Sequence, residues 1–132
     1  MGLDQWLFKR VPEGDEFDED GNLICNNDEV IIYWRKCNQI HGWFDRLFGG
    51  IDNCENYPVT IEQLEKLRED CQEVLKNHTT AETIMPVMYG MLFGEYDYDK
   101  WYFNQLECTI KDLDEFLEKD HTNEEFYYHA WW

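Results

Sequence analysis

The stretch from Glu29 to Phe48 constrains the fold more than any other part of the chain. It opens as a β-branched apolar run, Val30-Ile31-Ile32, and changes period near Trp34. From there Trp34, Cys37, Ile40 or His41, Phe44 and Leu47 or Phe48 recur at three- and four-residue intervals. That spacing marks one buried helical face. Gly49-Gly50 follows and supplies the left-handed residue that closes many helices. A strand running into a helix that carries such large side chains demands a core wrapped around both. Beside the apolar face the same stretch gathers three unusual polar residues, Arg35, Asn38 and His41.

The rest of the chain supplies the partners for that core. Leu3 to Val11 alternates loosely and is rich in Trp, Leu, Phe and Val, which predicts a first strand broken at Pro12-Glu13-Gly14. Leu23-Ile24-Cys25 predicts a short second strand, and Pro58-Val59 a brief extended segment. Thr60 predicts a helix N-cap with Gln63 as its capping-box partner. Ile61, Leu64, Leu67, Cys71, Val74 and Leu75 then make one apolar stripe, which Asn77 to Thr80 ends. Ala81 to Tyr98, where Pro86, Gly90 and Gly94 punctuate Met85, Met88, Tyr89, Met91, Leu92 and Phe93, predicts a loop with one or two extended pieces packed on the core. Asp97 or Asp99 predicts the start of a third helix running to about Lys119. Five aromatics crowd Phe126 to Trp132, where chain ends are normally polar and mobile, so this tail is expected to be docked. The fold class that follows is α+β, a small antiparallel sheet of N-terminal strands packed with about three amphipathic helices. It forms a single domain over residues 1–132.

Charge limits function more than it limits fold. The 132 residues hold 29 acidic and 11 basic side chains, a formal net charge of −18. Such a field repels nucleic acid and anionic membrane and attracts basic protein surfaces. Direct binding to nucleic acid is disfavoured, because phosphate contact needs clustered Lys and Arg. The 17% aromatic content keeps so acidic a chain from staying unfolded. No apolar run approaches the ~20 residues that span a bilayer. The five cysteines, Cys25, Cys37, Cys54, Cys71 and Cys108, include no close pair and read as reduced thiols. Met1-Gly2-Leu3-Asp4 lacks the features of a secretory leader, and Trp6 stands where a myristoylation signal wants Ser or Thr.

Three constellations are candidates for chemistry. Arg35, Asn38 and His41 are three residues apart and predict a slanted row on the central helix, with Asp45 placed to orient the imidazole. They are the candidate ligand-binding set for a phosphate or carboxylate. Cys37, Cys54, Cys71, His41 and His78 lack the close ligand pairing of a structural zinc, and no metal or other cofactor is expected. Asp18, Asp20, Asn22 and Glu29 brush against calcium-loop spacing, but Leu23 stands where that loop needs Gly. The third constellation is acidic. Glu62, Glu65, Glu69 and Glu73 line the second helix, Asp112, Glu115, Glu118 and Asp120 the third, with Glu124 and Glu125 beyond. Carboxylates one turn apart on a helix are about 6 Å apart, close to the step between phosphates of a nucleic-acid strand. No nucleophile elbow, phosphate loop or dinucleotide fingerprint occurs, and no enzymatic activity is expected.

Tyr33-Trp34-Arg35-Lys36-Cys37-Asn38-Gln39-Ile40-His41-Gly42-Trp43-Phe44, together with Met1-Gly2-Leu3-Asp4, Asp52-Asn53-Cys54 and Phe93-Gly94-Glu95-Tyr96-Asp97-Tyr98-Asp99, resembles a family of small bacteriophage-encoded proteins. The resemblance spans most of the chain except the tail Tyr127 to Trp132. It implies a phage origin and the host cytoplasm as workplace, and carries over no functional residue. Together with the charge it leads to an expected function: an acidic inhibitor of a host defence nuclease, such as an anti-CRISPR protein, that mimics nucleic acid in a basic groove. The carboxylates above would occupy the groove, and Phe126, Tyr128, Trp131 and Trp132 would anchor the contact. The alternatives are a small-ligand or nucleotide-binding protein using Arg35, Asn38 and His41, and a phage assembly module whose aromatic tail is a docking peptide.

Overall fold

A computed structural model of the chain describes residues 2–25, 27–90 and 93–132, and the side chains of all of these but Ile24 and Cys25. The expectations for Met1, Met91, Leu92 and the Cys25 thiol fall outside what is described. Among the described residues six strands form: β1 (Asp4–Lys9), β2 (Glu16–Phe17), β3 (Leu23–Cys25), β4 (Glu29–Arg35), β5 (Asn56–Val59) and β6 (Phe126–Trp131). The helices are α1 (Asn38–Phe48), α2 (Ile61–Lys76), the single turn α3 (Ala81–Ile84) and α4 (Lys100–Leu117). Strands β4, β1, β6 and β5 make one antiparallel sheet in that order, while β2 and β3 pair as a separate small hairpin. The α+β class is as the sequence predicts.

Alternation sorts each strand's side chains. Leu3, Leu7, Ile32, Trp34, Val59, Phe126, Tyr128 and Ala130 are buried on the face that the helices cover. Trp6, Phe8, Tyr33, Tyr127 and His129 belong to the other parity and share the opposite face. From the helices come Ile40 and Phe44 of α1, Leu64, Leu67, Cys71 and Val74 of α2, and Tyr102, Leu106, Leu113 and Phe116 of α4. Two buried indoles find partners within this layer. Trp34 Nε1 donates to Thr109 Oγ1 at 2.9 Å, and Trp43 Nε1 donates to Asp70 Oδ2 at 2.8 Å, tying α1 to α2.

The strand-to-helix change lies later than the apolar spacing suggests. β4 runs through Arg35; Lys36 then takes a left-handed φ of 53° and turns the chain into α1. Trp34 fits a helical spacing with Cys37, yet it alternates with Ile32 as a strand residue. Gly49, at φ 72°, closes α1 as expected. α1 is also enclosed more fully than one apolar stripe implies, since Asn38 through Phe44 are all buried. Gly42 permits this: a Cβ there would stand 3.3 Å from the Cβ of Met88 in the segment that crosses it.

The capping box of α2 forms as read. Thr60 Oγ1 accepts from Gln63 N–H at 3.1 Å, and Gln63 Oε1 accepts from Thr60 N–H at 2.9 Å. Thr60→Ala therefore loses about 1 kcal/mol of stability. Urea unfolding will show this as a lower midpoint at unchanged slope. Two expectations differ from the structure. Among its described residues, 81–98 holds no strand; after α3 it is an irregular segment tied to α1 and α4 by hydrogen bonds. The aromatic tail is docked, as expected, but as β6, a C-terminal strand inserted between β1 and β5 of a sheet expected from N-terminal strands.

Candidate interaction surface

Arg35, Asn38 and His41 do not form a row. Arg35 ends β4 and is exposed, whereas Asn38 and His41 sit in the closed first half of α1. Asn38 Nδ2 donates to the carbonyls of Phe93 (3.2 Å) and Glu95 (2.7 Å), and its Oδ1 accepts from Met88 N–H at 3.1 Å. It pins Met88, Phe93 and Glu95 to the helix. Asp45 does not bond to the imidazole; its Oδ1 accepts from Ile51 N–H at 2.9 Å and shapes the turn after α1. The three therefore do not converge on one ligand: Asn38 and His41 are held by the protein's own groups, and Arg35 stands apart on the surface.

His41 belongs to a buried polar chain. Cys37 N–H donates to Gln5 Oε1 at 2.9 Å, and Gln5 Nε2 donates to the Cys37 carbonyl and to the Tyr128 hydroxyl, each at 3.1 Å. With a donor already on its oxygen, the Tyr128 hydroxyl directs its own proton to His41 Nδ1, 2.8 Å away. His41 Nε2, which then carries the ring proton, has no hydrogen-bond partner among the described residues. The ring lies edge-on to Phe93 and Trp132, with centroids 5.5 and 5.0 Å apart. Burial pulls its pKa from 6.5 to about 4, against a smaller upward pull from Asp45. Burial likewise pushes the Tyr128 hydroxyl well above its ordinary value. This chain fixes β1, β6 and α1 to one another.

The expected anchors divide. Phe126 and Tyr128 point into the core, Tyr128 with no exposed surface at all, so neither is available to a partner. Their place in β6 explains this, because even-numbered residues of that strand face the helices. Trp132 is half-buried against His41 and Phe93, with its backbone N–H and carbonyl held by Asn53. Trp131 is 52% exposed.

The carboxylate rows are on the surface but are not free of counter-charge. Glu62, Glu65, Glu69 and Glu73 are exposed along α2, as are Asp112, Glu115, Glu118 and Asp120 on and after α4. Arg68 and Lys66 interrupt the first row, pairing with Asp114 at 3.2 Å and Asp70 at 3.0 Å. α2 and α4 together carry nine acidic and five basic residues. Residues 11–30, around the β2–β3 hairpin, carry eight acidic residues and no basic one. The charge is spread over the molecule, densest at that hairpin. There Asp18 accepts backbone N–H groups from Asp20 (3.0 Å) and Asn22 (2.8 Å), which makes the Asp18–Asn22 alternation a turn. Among the described residues no His, Cys, Asp and Glu side chains come together as a metal-ligand set.

The open face of the sheet is the surface that sequence reading missed. Trp6 lies 5.7 Å from Tyr33, 5.8 Å from His129 and 6.1 Å from Phe8, and Phe8 lies 5.2 Å from Tyr127, measured between ring centroids. The rings form one continuous strip across β4, β1 and β6. Their polar ends are fixed from the edges: Tyr33 OH donates to Asp4 and Tyr127 OH to Asp28, each at 2.6 Å, and His129 Nδ1 donates to Asn56 Oδ1 at 2.7 Å. The bond to Asp4 raises the Tyr33 pKa, while burial followed by Asp28 raises that of Tyr127. A depression of ≈310 Å³ opens over Trp6, Phe8, His129 and Tyr127. It shares Asn56 and Tyr127 with a larger one of ≈640 Å³, walled by Leu23 of the hairpin and by the first turn of α2.

Arg10 braces the hairpin end of this groove. It pairs with Asp15 and, at 2.9 Å, with Asp28, and the two carboxylates hold its pKa above the ordinary value. Burial pushes the Asp28 carboxyl up, but Tyr127, the Val11 N–H and Arg10 together hold it below its usual range. The signal for the strip was present in Trp6-Leu7-Phe8 and Tyr127-Tyr128-His129, where both parities of a strand are aromatic or apolar. No family model, no curated protein and no solved structure matches this chain.

Proposed function

We propose that the protein is an acidic, phage-type inhibitor that binds the basic nucleic-acid-binding groove of a host defence nuclease and so excludes the nucleic acid. The observation that carries this reading is the charge, 29 acidic against 11 basic residues, with the α2 and α4 carboxylates and the β2–β3 hairpin turned to solvent. A surface of that sign gains affinity and association rate from a basic partner and loses both toward nucleic acid. The buried setting of Asn38 and His41 supports a binding protein over a ligand-handling one. The resemblance of the Tyr33 to Phe44 stretch to small phage proteins supports a host enzyme as target.

Affinity-purification from host lysate on the immobilised protein is expected to return a nucleic-acid-binding enzyme. Its binding will weaken steeply with added salt and be competed by duplex DNA. Reversing three charges together, Glu65→Lys, Glu69→Lys and Glu73→Lys, removes about 1.5 kcal/mol of attraction at surface-pair strength, or about tenfold in affinity at low salt. Salt-insensitive capture, or capture that DNA does not compete, overturns the reading.

A further inference from the structure

The strip on the open sheet face combines two properties that seldom share a surface. Five rings lie side by side on three adjacent strands, with Tyr33 still 50% exposed. Carboxylates stand around them. Asp4 holds the Tyr33 hydroxyl at one corner, with Arg35 across from it, and Glu55 lies near His129, where it opposes the downward pull that burial exerts on the imidazole pKa. Exposed Glu62 and Glu125 line the larger depression at the far end. Aromatic strips on the central strands of an antiparallel sheet suit flat, π-faced ligands. Nucleobases are one such class, and they stack on platforms of this kind. They bring phosphates with them, however, and this chain is at −18 with Arg10 already held by two carboxylates. A guanidinium is also flat and stacks on aromatic faces, and its charge is attracted here rather than repelled.

We propose that this groove, from Trp6 and His129 to Glu62 and Glu125, is the docking surface for an extended, arginine-bearing segment of the basic partner. One guanidinium stacks over Trp6 in the smaller depression, on the side of His129 and Glu55. A second reaches the larger depression, where Glu62 and Glu125 accept its N–H donors in forked pairs. The two depressions meet at Asn56 and Tyr127, so one extended chain passes through both. This rests on the function proposed above and names the surface that performs it. The sheet face recognises a planar cation, and the helix rows supply long-range attraction.

The test uses the full chain and three probes: a twelve-residue alternating Arg-Gly peptide, its Lys-Gly counterpart and a twelve-nucleotide oligo-dT, with binding followed by calorimetry and by Trp fluorescence. The Arg-Gly peptide is expected to bind several-fold more tightly than Lys-Gly, because only guanidinium is planar. Trp6→Val keeps strand propensity and removes the π-face, and is expected to weaken Arg-Gly about tenfold. The exposed pair Glu62→Gln and Glu125→Gln is expected to weaken it without altering the thermal melt, which keeps the test valid should Trp6→Val prove unstable. Equal affinity for the two peptides, unchanged in both variants, overturns the proposal, as does oligo-dT binding that Trp6→Val abolishes. A lysate partner that binds these variants normally but fails against the α2 charge reversal would sink the sheet-face site and leave the inhibitor reading standing. Salt-insensitive capture would sink that reading by itself.

Discussion

A chain that ends at Glu125 will not fold. The residues removed are β6, which lies between β1 and β5 and pairs with both. Without it β5 has no neighbour in the sheet, and β1 loses the partner on one whole side. The loss in the core is larger still. Phe126, Tyr128 and Ala130 are buried, and the Tyr128 ring stacks on Phe44 with centroids 4.0 Å apart. Removing one large buried aromatic costs about 3–5 kcal/mol, and this deletion removes two along with a strand's hydrogen bonds. It also strips Gln5 and His41 of the hydroxyl they share. A domain of this size has about 5–15 kcal/mol to lose. The truncated chain is expected to show no cooperative thermal transition and no near-ultraviolet aromatic signal. Removing Trp132 alone should leave the transition in place at a lower midpoint. A cooperative melt from the chain ending at Glu125 would mean that the aromatic tail is the docking peptide it resembles in sequence, and not a strand of the core.

The difference between what could be read and what could not follows sequence distance. The capping box at Thr60 and Gln63, the α2 stripe and the Asp99 cap of α4 all depend on residues within a turn or two, and each is legible. The boundary at Trp34 was misplaced by a local coincidence, since its spacing to Cys37 satisfies a helix while its alternation with Ile32 satisfies a strand. β6 was hidden because aromatics occupy both of its parities, which erases the period-two contrast that marks a half-buried strand. The open aromatic strip needs β1 beside β6, a pairing that brings Gln5 to Tyr128 across 123 positions, and no local pattern encodes that. Asn38 and His41 looked like site residues for a physical reason. Polar groups on an apolar helix face are uncommon, and only tertiary structure reveals whether they meet a ligand or the protein's own backbone. Here they meet the backbone of Met88, Phe93 and Glu95 and the hydroxyl of Tyr128. The acidic rows were read correctly as exposed. Their share of the charge is smaller than that reading implies, because six of the eight residues from 13 to 20, at the hairpin, are acidic.

Acidification from pH 7 to pH 4 will remove about 3 kcal/mol of stability through His41 alone. In the unfolded chain this imidazole titrates near 6.5; in the folded protein burial holds it to about 4. Between those values the unfolded state binds more protons than the folded one. Its contribution is therefore complete above pH 6.5 and is lost as pH falls, the loss nearly finished near pH 4. Protonation at Nδ1 also turns the acceptor of the Tyr128 hydroxyl into a second donor, so the proton is taken up only at the expense of the Gln5–Tyr128–His41 chain. Carboxylates complicate the same range. Neutralising part of a −18 surface relieves self-repulsion and stabilises the fold, whereas paired acids such as Asp15 and Glu124, held below their usual range by Arg10 and Lys9, destabilise it as they protonate. These contributions are common to the wild type and a His41→Gln variant, whose amide oxygen still accepts from Tyr128 but does not titrate. His41→Gln is expected to be less stable at pH 7, through lost packing on Phe93 and Trp132. Its stability should also decline less between pH 6.5 and 4, so that the gap between the two proteins narrows by most of that 3 kcal/mol. Urea unfolding at half-unit pH steps measures the gap, and an NMR titration locates the His41 ring directly. Parallel pH profiles, or an imidazole titrating near 6.5 in the folded protein, would show that water reaches α1 and that the core around Tyr128 is open.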